Sequence, residues 1–140
     1  MSAKTFVDTN VLIYAHDIDA QAKHEIAKGV LRELWSERTG VLSMQVLQEF
    51  YVQATRTSRA DAVPHELAAG LIEAWSRFRI QDMTFPVLNA AMRIRKAYGF
   101  SFWDSAIIGA ALAQGCGRVY TEGLNHGQVI EGVRIVNPFL

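Results

Sequence analysis

The stretch that decides the fold is TFVDTNVLIY, residues 5–14, in which a short apolar run ends at an aspartate and a second apolar run follows at once. Thr5 to Val7 predicts a short buried strand, and Asn10 to Tyr14 predicts a helical turn. In an open α/β sheet, ligands bind in the crevice at the carboxyl ends of the strands. Asp8 is therefore expected at such a crevice, with its carboxylate beside the core.

Outward from this stretch, strands and helices alternate, which is typical of an α/β fold with a mainly parallel sheet. Glycines predict where helices end, Ser43 predicts a helix cap, and Pro64 predicts a first helical turn. The predicted helices are Ala20 to Arg38, Met44 to Thr57, Pro64 to Phe78, Pro86 to Tyr98 and Trp103 to Gln114, and the further strands are Val41 to Leu42, Ile80 to Met83, Arg118 to Thr121 and Val133 to Val136. Neither a repeat nor a linker interrupts the pattern, so we expect one domain over residues 1–140.

Composition limits the functional classes. Half of the 140 residues are hydrophobic, which is enough for one core, and 14 lysines and arginines balance 14 aspartates and glutamates. Zero net charge argues against a long electrostatic footprint on nucleic acid, but it leaves room for a small site. The lone Cys116 cannot form an internal disulfide, and no apolar run at the start suits a signal peptide or membrane span. We expect a cytoplasmic protein that does not enter a membrane.

Three acidic residues lie among large apolar side chains, unlike most others in this chain. Asp8 ends the strand Phe6-Val7, Glu49 lies in VLQEFY (residues 46–51), and Asp104 follows FSFW (residues 100–103). A charge near a core must be paired or bind a metal. Glu49 and Asp104 are predicted in the first turns of helices that begin near strand ends, so all three carboxylates are expected to converge on one crevice.

Converging carboxylates repel one another unless a divalent cation neutralises them. Ligation by oxygen alone favours magnesium or manganese, and magnesium typically takes one or two carboxylates, several waters and substrate phosphate. Hydrolysis of a nucleic-acid backbone by an activated water fits this donor set.

Structural roles for the same residues remain open at this point. Asp8 and Asp104 are residue types that cap helices, so either carboxylate could accept hydrogen bonds from a first helical turn. Glu49 lies inside a predicted helix, and Arg56 is a candidate partner that could neutralise it.

Four segments, with the chain end IVNPF (residues 135–139), together resemble the PIN-domain family, especially VapC-type toxins of toxin–antitoxin pairs. These segments are FVDTNVL (residues 6–12), SMQVLQEF (43–50), FWDSAII (102–108) and YTEGLNHGQ (120–128). One such motif is a weak signal, whereas all of them in order over nearly the whole chain are a strong one.

The resemblance implies a three-layer α/β/α PIN-like fold with a central, mainly parallel sheet. It also implies a magnesium- or manganese-dependent endoribonuclease in which Asp8, Glu49 and Asp104 hold the metal and act in catalysis. Asn10 and Thr121 would support the site by holding metal waters or orienting carboxylates. By resemblance, the chain is expected to cleave RNA, to form a homodimer and to be silenced by an antitoxin protein.

Gly123 departs from the family pattern, which commonly has aspartate there as a fourth acid. Its absence predicts weaker binding of a second metal ion, one-metal occupancy or reduced activity. Glu122 is not expected to replace it, because adjacent side chains on an extended segment point in opposite directions. Two alternatives follow: a catalytically weakened module that binds RNA or a partner, and a nuclease of the same fold in RNA maturation or acting on DNA.

Aromatic and histidine side chains support smaller predictions. The tryptophans Trp35, Trp75 and Trp103 are expected in core or dimer contacts rather than in base stacking. His126 is expected to hydrogen-bond locally rather than to act as a general base. The predicted exposed histidines are His16, His24 and His65.

Overall fold

The computed structural model describes residues 3–140, so Met1 and Ser2 of the expected domain lie outside the described residues. Within this range the strands form one six-stranded sheet in the order β3-β2-β1-β4-β6-β5. The strands are β1 (Thr5–Val7), β2 (Gly40–Ser43), β3 (Arg79–Gln81), β4 (Arg118–Tyr120), β5 (Val129–Ile130) and β6 (Val133–Val136). All neighbouring strands are parallel except the β5–β6 pair.

Helices cover both faces of this sheet. They are α1 (Thr9–His16), α2 (Ala22–Glu37), α3 (Met44–Ala54), α4 (His65–Trp75), α5 (Phe85–Tyr98) and α6 (Phe102–Ala113), with a 3-10 turn over Ile18–Ala20. Every residue of β1 and β2 is buried, as expected for parallel strands packed on both sides. The expected three-layer α/β/α fold is confirmed.

Several element ends differ by one to three residues from the predicted boundaries: for example, α4 ends at Trp75 rather than Phe78, and β3 covers Arg79–Gln81 rather than Ile80 to Met83. Two of the differences have a clear local cause. Helix α3 ends at Ala54 rather than Thr57, and the Thr55 hydroxyl donates to the Tyr51 carbonyl at 2.7 Å, which ends the helix by a local hydrogen bond. Helix α6 begins at Phe102, because the Ser101 side chain accepts from the Asp104 backbone N–H at 3.1 Å.

One strand was missed. Strand β5 is only two residues long and pairs with β6 through a tight turn at Glu131 and Gly132, whose φ angles of 50° and 88° suit a two-residue hairpin. Two residues are too few to show an apolar alternation in the sequence.

The topology gives the sheet two distinct edges. Because β1, β2, β3, β4 and β6 run parallel, their carboxyl ends share one edge and their amino ends share the other. Within the described part of the chain, no helix combines the length and the apolar character that a membrane crossing needs.

Candidate functional site

A cleft of about 230 Å³ opens at the carboxyl edge of the sheet. Strand β1 brings Asp8 to it, helix α3 brings Glu49, and helix α6 brings Asp104. Asn10 and Gly123 also line the cleft. The three acids from distant parts of the chain therefore face one cavity.

Asp8 is the buried member of this set, with 8% of its surface exposed. One carboxylate oxygen, Oδ1, accepts from the Thr9 backbone N–H at 2.7 Å, and Oδ2 accepts from the Thr121 hydroxyl at 2.8 Å. The pKa of Asp8 rises from 3.8 to about 6, chiefly because the carboxylate is buried. The two hydrogen bonds oppose this rise, and the charges of Glu49 and Asp104 add to it. The carboxylate is thus held in place while its charge is incompletely compensated.

Thr121 connects Asp8 to the rest of the cleft. Its hydroxyl donates to Asp8 and accepts from the Asn10 side-chain amide at 3.3 Å and from the Gly123 backbone N–H at 3.1 Å. A hydroxyl offers one donor and two acceptor positions, so this group is fully used. Asn10 in turn accepts from the Glu122 backbone N–H at 3.3 Å, which fastens the loop after β4 to helix α1.

Glu49 is half-buried and lies in the second turn of α3, not in the first turn as predicted. Its Oε1 accepts from the Gln45 side-chain amide at 2.7 Å, one helical turn earlier. The same amide donates to the Trp103 carbonyl at 3.1 Å and so links α3 to α6. Among residues 3–140, Glu49 forms no ion pair with Arg56, which removes the proposed neutralising partner.

Gln45 was missed by the sequence analysis. The signal that could have found it is its spacing of four residues before Glu49, which places both side chains on one helix face.

Asp104 is also half-buried and lies in the first turn of α6. Ser101 caps this helix, so the alternative that Asp104 is itself the cap is wrong. Asp8, by contrast, is the N-cap residue of α1. It therefore caps a helix and also lines the cleft. The expectation that apolar side chains enclose all three acids holds fully only for Asp8.

The donor set suits a hard divalent cation, since it consists of carboxylate and amide oxygens. In the described part of the chain, however, no three His, Cys, Asp or Glu side chains are close enough to ligate one ion together. Magnesium typically takes one or two carboxylates and keeps several waters, so direct ligation by all three acids is not required. The buried Asp8 has no cationic side-chain partner within residues 3–140, and this uncompensated charge is the feature that fits a metal ion.

Gly123 lines the cleft, whereas Glu122 does not. The Glu122 carboxylate accepts from the Tyr14 hydroxyl at 2.6 Å and pairs with Lys23, as expected if it does not replace a fourth acid. A Cβ built on Gly123 would meet only the Thr121 hydroxyl oxygen, at 3.8 Å, which is ordinary van der Waals contact. The backbone therefore leaves room for an acidic side chain at this position.

Several smaller predictions are resolved by burial. Trp75 is buried against Phe50, but Trp103 is 62% exposed at the mouth of the cleft and Trp35 is 53% exposed, so neither is a core residue. His24 is buried with its Nδ1 atom 2.9 Å from the Tyr14 carbonyl oxygen, contrary to the prediction that it is exposed.

His126 hydrogen-bonds locally, as predicted, because its Nδ1 accepts from the Asn137 backbone N–H at 2.9 Å. This bond holds the loop after β4 against the chain end.

The fold and the cleft define a class of small α/β proteins in which carboxylates gather at the carboxyl ends of parallel strands. The model of the PIN-domain family matches residues 5–129, and the chain belongs to this family.

Solved structures with the same fold include toxin–antitoxin proteins. A toxin–antitoxin complex from Klebsiella pneumoniae is 21% identical, with a TM-score of 0.70 and coverage of 96% of this chain and 98% of that one. DNA-bound VapBC from Salmonella typhimurium is 22% identical, with a TM-score of 0.69 and coverage of 96% and 97%. Mycobacterium tuberculosis VapC20, described as a sarcin–ricin loop cleaving toxin, is 21% identical, with a TM-score of 0.62 and coverage of 84% and 88%. No curated protein shows a significant sequence match.

Proposed function

We propose that this chain is a metal-dependent endoribonuclease and the toxin of a toxin–antitoxin pair. The observation that carries the proposal is the buried, incompletely compensated carboxylate of Asp8, which faces Glu49 and Asp104 across one cleft. A cation would offset the cost of burying this charge, and a cation among carboxylates at a cleft mouth is suited to binding a phosphodiester.

The comparisons support the biological role. The chain belongs to the PIN-domain family, and its fold is that of proteins named as toxins in complex with antitoxins. Another structure with this fold is described as a sarcin–ricin loop cleaving toxin. An RNA substrate, a cognate antitoxin, a homodimeric state and action in the cytoplasm belong to the same proposal.

The residues have separate roles in this proposal. Asp8, Glu49 and Asp104 hold magnesium or manganese, and the ion when bound supplies an activated water and a Lewis acid for the phosphodiester. Asp8 would be the best-fixed of the three, since its carboxylate accepts hydrogen bonds from Thr9 and Thr121. Asn10 and Thr121 are positioning residues, because they keep the Asp8 carboxylate aimed into the cleft.

RNA cleavage by the purified chain tests the proposal. Cleavage is expected with magnesium or manganese and not in chelator, and Asp8→Asn should abolish it while the far-ultraviolet circular dichroism spectrum stays native. Asp82→Asn is the matched control, since Asp82 is exposed and lies outside the cleft. Undiminished cleavage in chelator would contradict the proposal, and a parallel DNA substrate of the same sequence tests the choice of RNA.

A second candidate is a catalytically weakened module that keeps the fold and binds RNA or a protein partner. Two observations favour it: Gly123 supplies no carboxylate to the cleft, and no three acids within the described residues form one ligand cluster. Calorimetry with manganese separates the candidates. Absence of binding at millimolar manganese, together with tight binding of RNA, would favour the weakened module.

A further inference from the structure

A second depression, of about 550 Å³, lies at the opposite edge of the sheet from the acidic cleft. Arg38, Arg77 and Arg79 line it. Arg38 follows α2 and precedes β2, and Arg79 is the first residue of β3. Because β2 and β3 run parallel, these residues meet at the amino edge of the sheet. We call this depression the arginine pocket.

The charges of the arginine pocket are not balanced by protein carboxylates. Within residues 3–140 none of the three guanidinium groups is in an ion pair or a side-chain hydrogen bond, and all three residues are exposed. Elsewhere in residues 3–140, Arg93 pairs with Glu131 and Arg59 with Asp61, whereas Arg32, Arg56 and Arg134 are exposed without an ion pair. The pocket differs from these single positions because it brings three arginines to one depression. Three like charges that converge without a counter-charge favour the binding of an anion.

An aromatic wall completes the pocket. Trp35 is 53% exposed and packs edge to face against Phe78, with 5.4 Å between the ring centroids. Phe78 in turn lies over Gly40, where an added Cβ would come within 2.7 Å of the ring, so glycine allows this close approach. The exposed part of the Trp35 ring is thereby held beside the guanidinium groups.

We propose that the arginine pocket binds a nucleotide unit of single-stranded nucleic acid. Guanidinium groups match the geometry of phosphate oxygens and form paired hydrogen bonds with them. An exposed indole ring is a stacking surface for a base of any sequence. An acidic peptide would satisfy the arginines alone, whereas a nucleotide uses both the arginines and Trp35, which is why the nucleotide is the better fit.

This site goes beyond the proposed ribonuclease function and does not depend on it. The acidic cleft and the arginine pocket share no lining residue. Binding at the pocket therefore needs no metal ion and is expected to persist when Asp8 is replaced. If the pocket and the cleft bind the same RNA molecule, the pocket holds a stretch of nucleotides that is distant from the cleaved bond.

The test uses the full chain carrying Asp8→Asn, in chelator, with a fluorescently labelled single-stranded RNA as the probe. Arg77→Gln with Arg79→Gln should weaken binding at least tenfold and should lower the slope of log K against log salt by about 1.4, or ~0.7 per lost phosphate contact. The control is Arg32→Gln with Lys96→Gln, which removes the same charge from exposed positions outside the pocket. Thermal melts confirm that each variant folds.

Trp35→Leu separates a nucleotide from other anions. It should weaken RNA binding roughly 5- to 150-fold, the range that corresponds to the loss of one stacked base. Its effect on binding of poly-glutamate should be small, as should its effect on binding of inorganic phosphate. Equal binding by the arginine double variant and its control would overturn the proposal. So would poly-glutamate binding as tight as RNA binding with no effect of Trp35→Leu. Loss of RNA cleavage alone would affect only the proposed function.

Discussion

The carboxyl edge of the sheet carries a buried acidic group, whereas the amino edge carries solvent-exposed arginines. At the carboxyl edge, Asp8 is buried and fixed by hydrogen bonds from Thr9 and Thr121. At the amino edge, Arg77 and Arg79 are solvated and have no described side-chain partner within residues 3–140. Burial fixes the position of the Asp8 carboxylate but lowers the stability of the folded protein when the carboxylate is charged. The arginine side chains are solvated, so their substitution should change the free energy of unfolding little. Substitutions at the first edge should therefore alter stability together with function, and those at the second should alter binding alone.

Among substitutions that leave the three acids in place, the largest effect is expected from Thr121→Val, which keeps the side-chain shape but removes the hydroxyl that holds Asp8. Loss of a partner that orients a metal ligand typically costs 10- to 100-fold in metal affinity or activity. Manganese titration measures the change in metal affinity, and an RNA cleavage assay measures the change in activity. Thr39→Val is the matched control at the amino edge, because the buried Thr39 hydroxyl has no hydrogen-bond partner within the described residues. An equal loss in both variants would show that the Thr121 hydroxyl has no special role.

A smaller effect is expected from Asp8→Asn on the free energy of unfolding of the metal-free protein. The pKa of Asp8 is about 6 when folded against 3.8 as its ordinary value, so the folded state binds this proton more tightly. Protonation of Asp8 therefore stabilises the folded state at low pH, and this stabilisation is lost as the pH rises through 6. The shift corresponds to about 3 kcal/mol at pH 7, and Asp8→Asn forfeits about 1 kcal/mol of hydrogen bonding. We therefore expect Asp8→Asn to raise the free energy of unfolding by about 1–2 kcal/mol at pH 7.

Urea unfolding in chelator at pH 7 and pH 5 measures this difference. The gain should shrink at pH 5, where most Asp8 carboxylates in the wild-type protein are already protonated. A gain that does not change with pH would contradict the assignment to Asp8 ionisation.

Gly123→Asp sharpens the contrast by adding charge to the acidic edge. The Cβ has room, so the substitution should fold, and an added carboxylate should strengthen manganese binding on the order of tenfold. Calorimetry measures the affinity, and RNA cleavage should rise with it. Gly29→Asp, in α2 and outside the cleft, controls for the added charge, because a Cβ there also meets open space. Unchanged metal affinity would show that position 123 does not reach the ion.

The smallest effect is expected from Gln45→Met, which removes the hydrogen bonds to Glu49 and to the Trp103 carbonyl. One lost hydrogen bond typically costs about 0.5–1.5 kcal/mol, so cleavage should fall several-fold rather than vanish. Gln48→Met on the exposed face of the same helix is the control. If both variants cleave equally, Glu49 does not need this bond for its position.

The sequence predicted the alternating architecture and the place of Asp8, because a strand followed at once by an acid and a helix is a local pattern. Convergence of Glu49 on the cleft was also predictable, since α3 directly follows β2. Asp104 lines the same cleft, but its helix α6 follows helix α5 rather than a strand, so the expected reason for its position was wrong. The degree of burial of Glu49 and Asp104 was not predictable. Apolar residues next to an acid in a helical sequence can point to the core while the acid itself points elsewhere. Each is half-buried rather than enclosed.

Contacts between distant segments were beyond the sequence. The Thr121 network joins residues more than a hundred positions apart, and no local spacing indicates which hydroxyl reaches Asp8. The arginine pocket was hidden for the same reason. Arg38 and Arg77 lie in different loops, before β2 and before β3, and the pairing of these two strands brings them together.

The separation of acids and arginines between the two edges also bears on how the molecule meets a charged polymer. With a formal net charge of zero, the chain as a whole neither attracts nor repels a polyanion, but three acids at one edge and three arginines at the other form two local clusters of opposite charge. A nucleic acid at a distance exerts a torque on such a molecule and turns the arginine edge toward itself. First encounters are thus oriented rather than random, and raising the ionic strength should slow them even though the isoelectric point lies near neutrality.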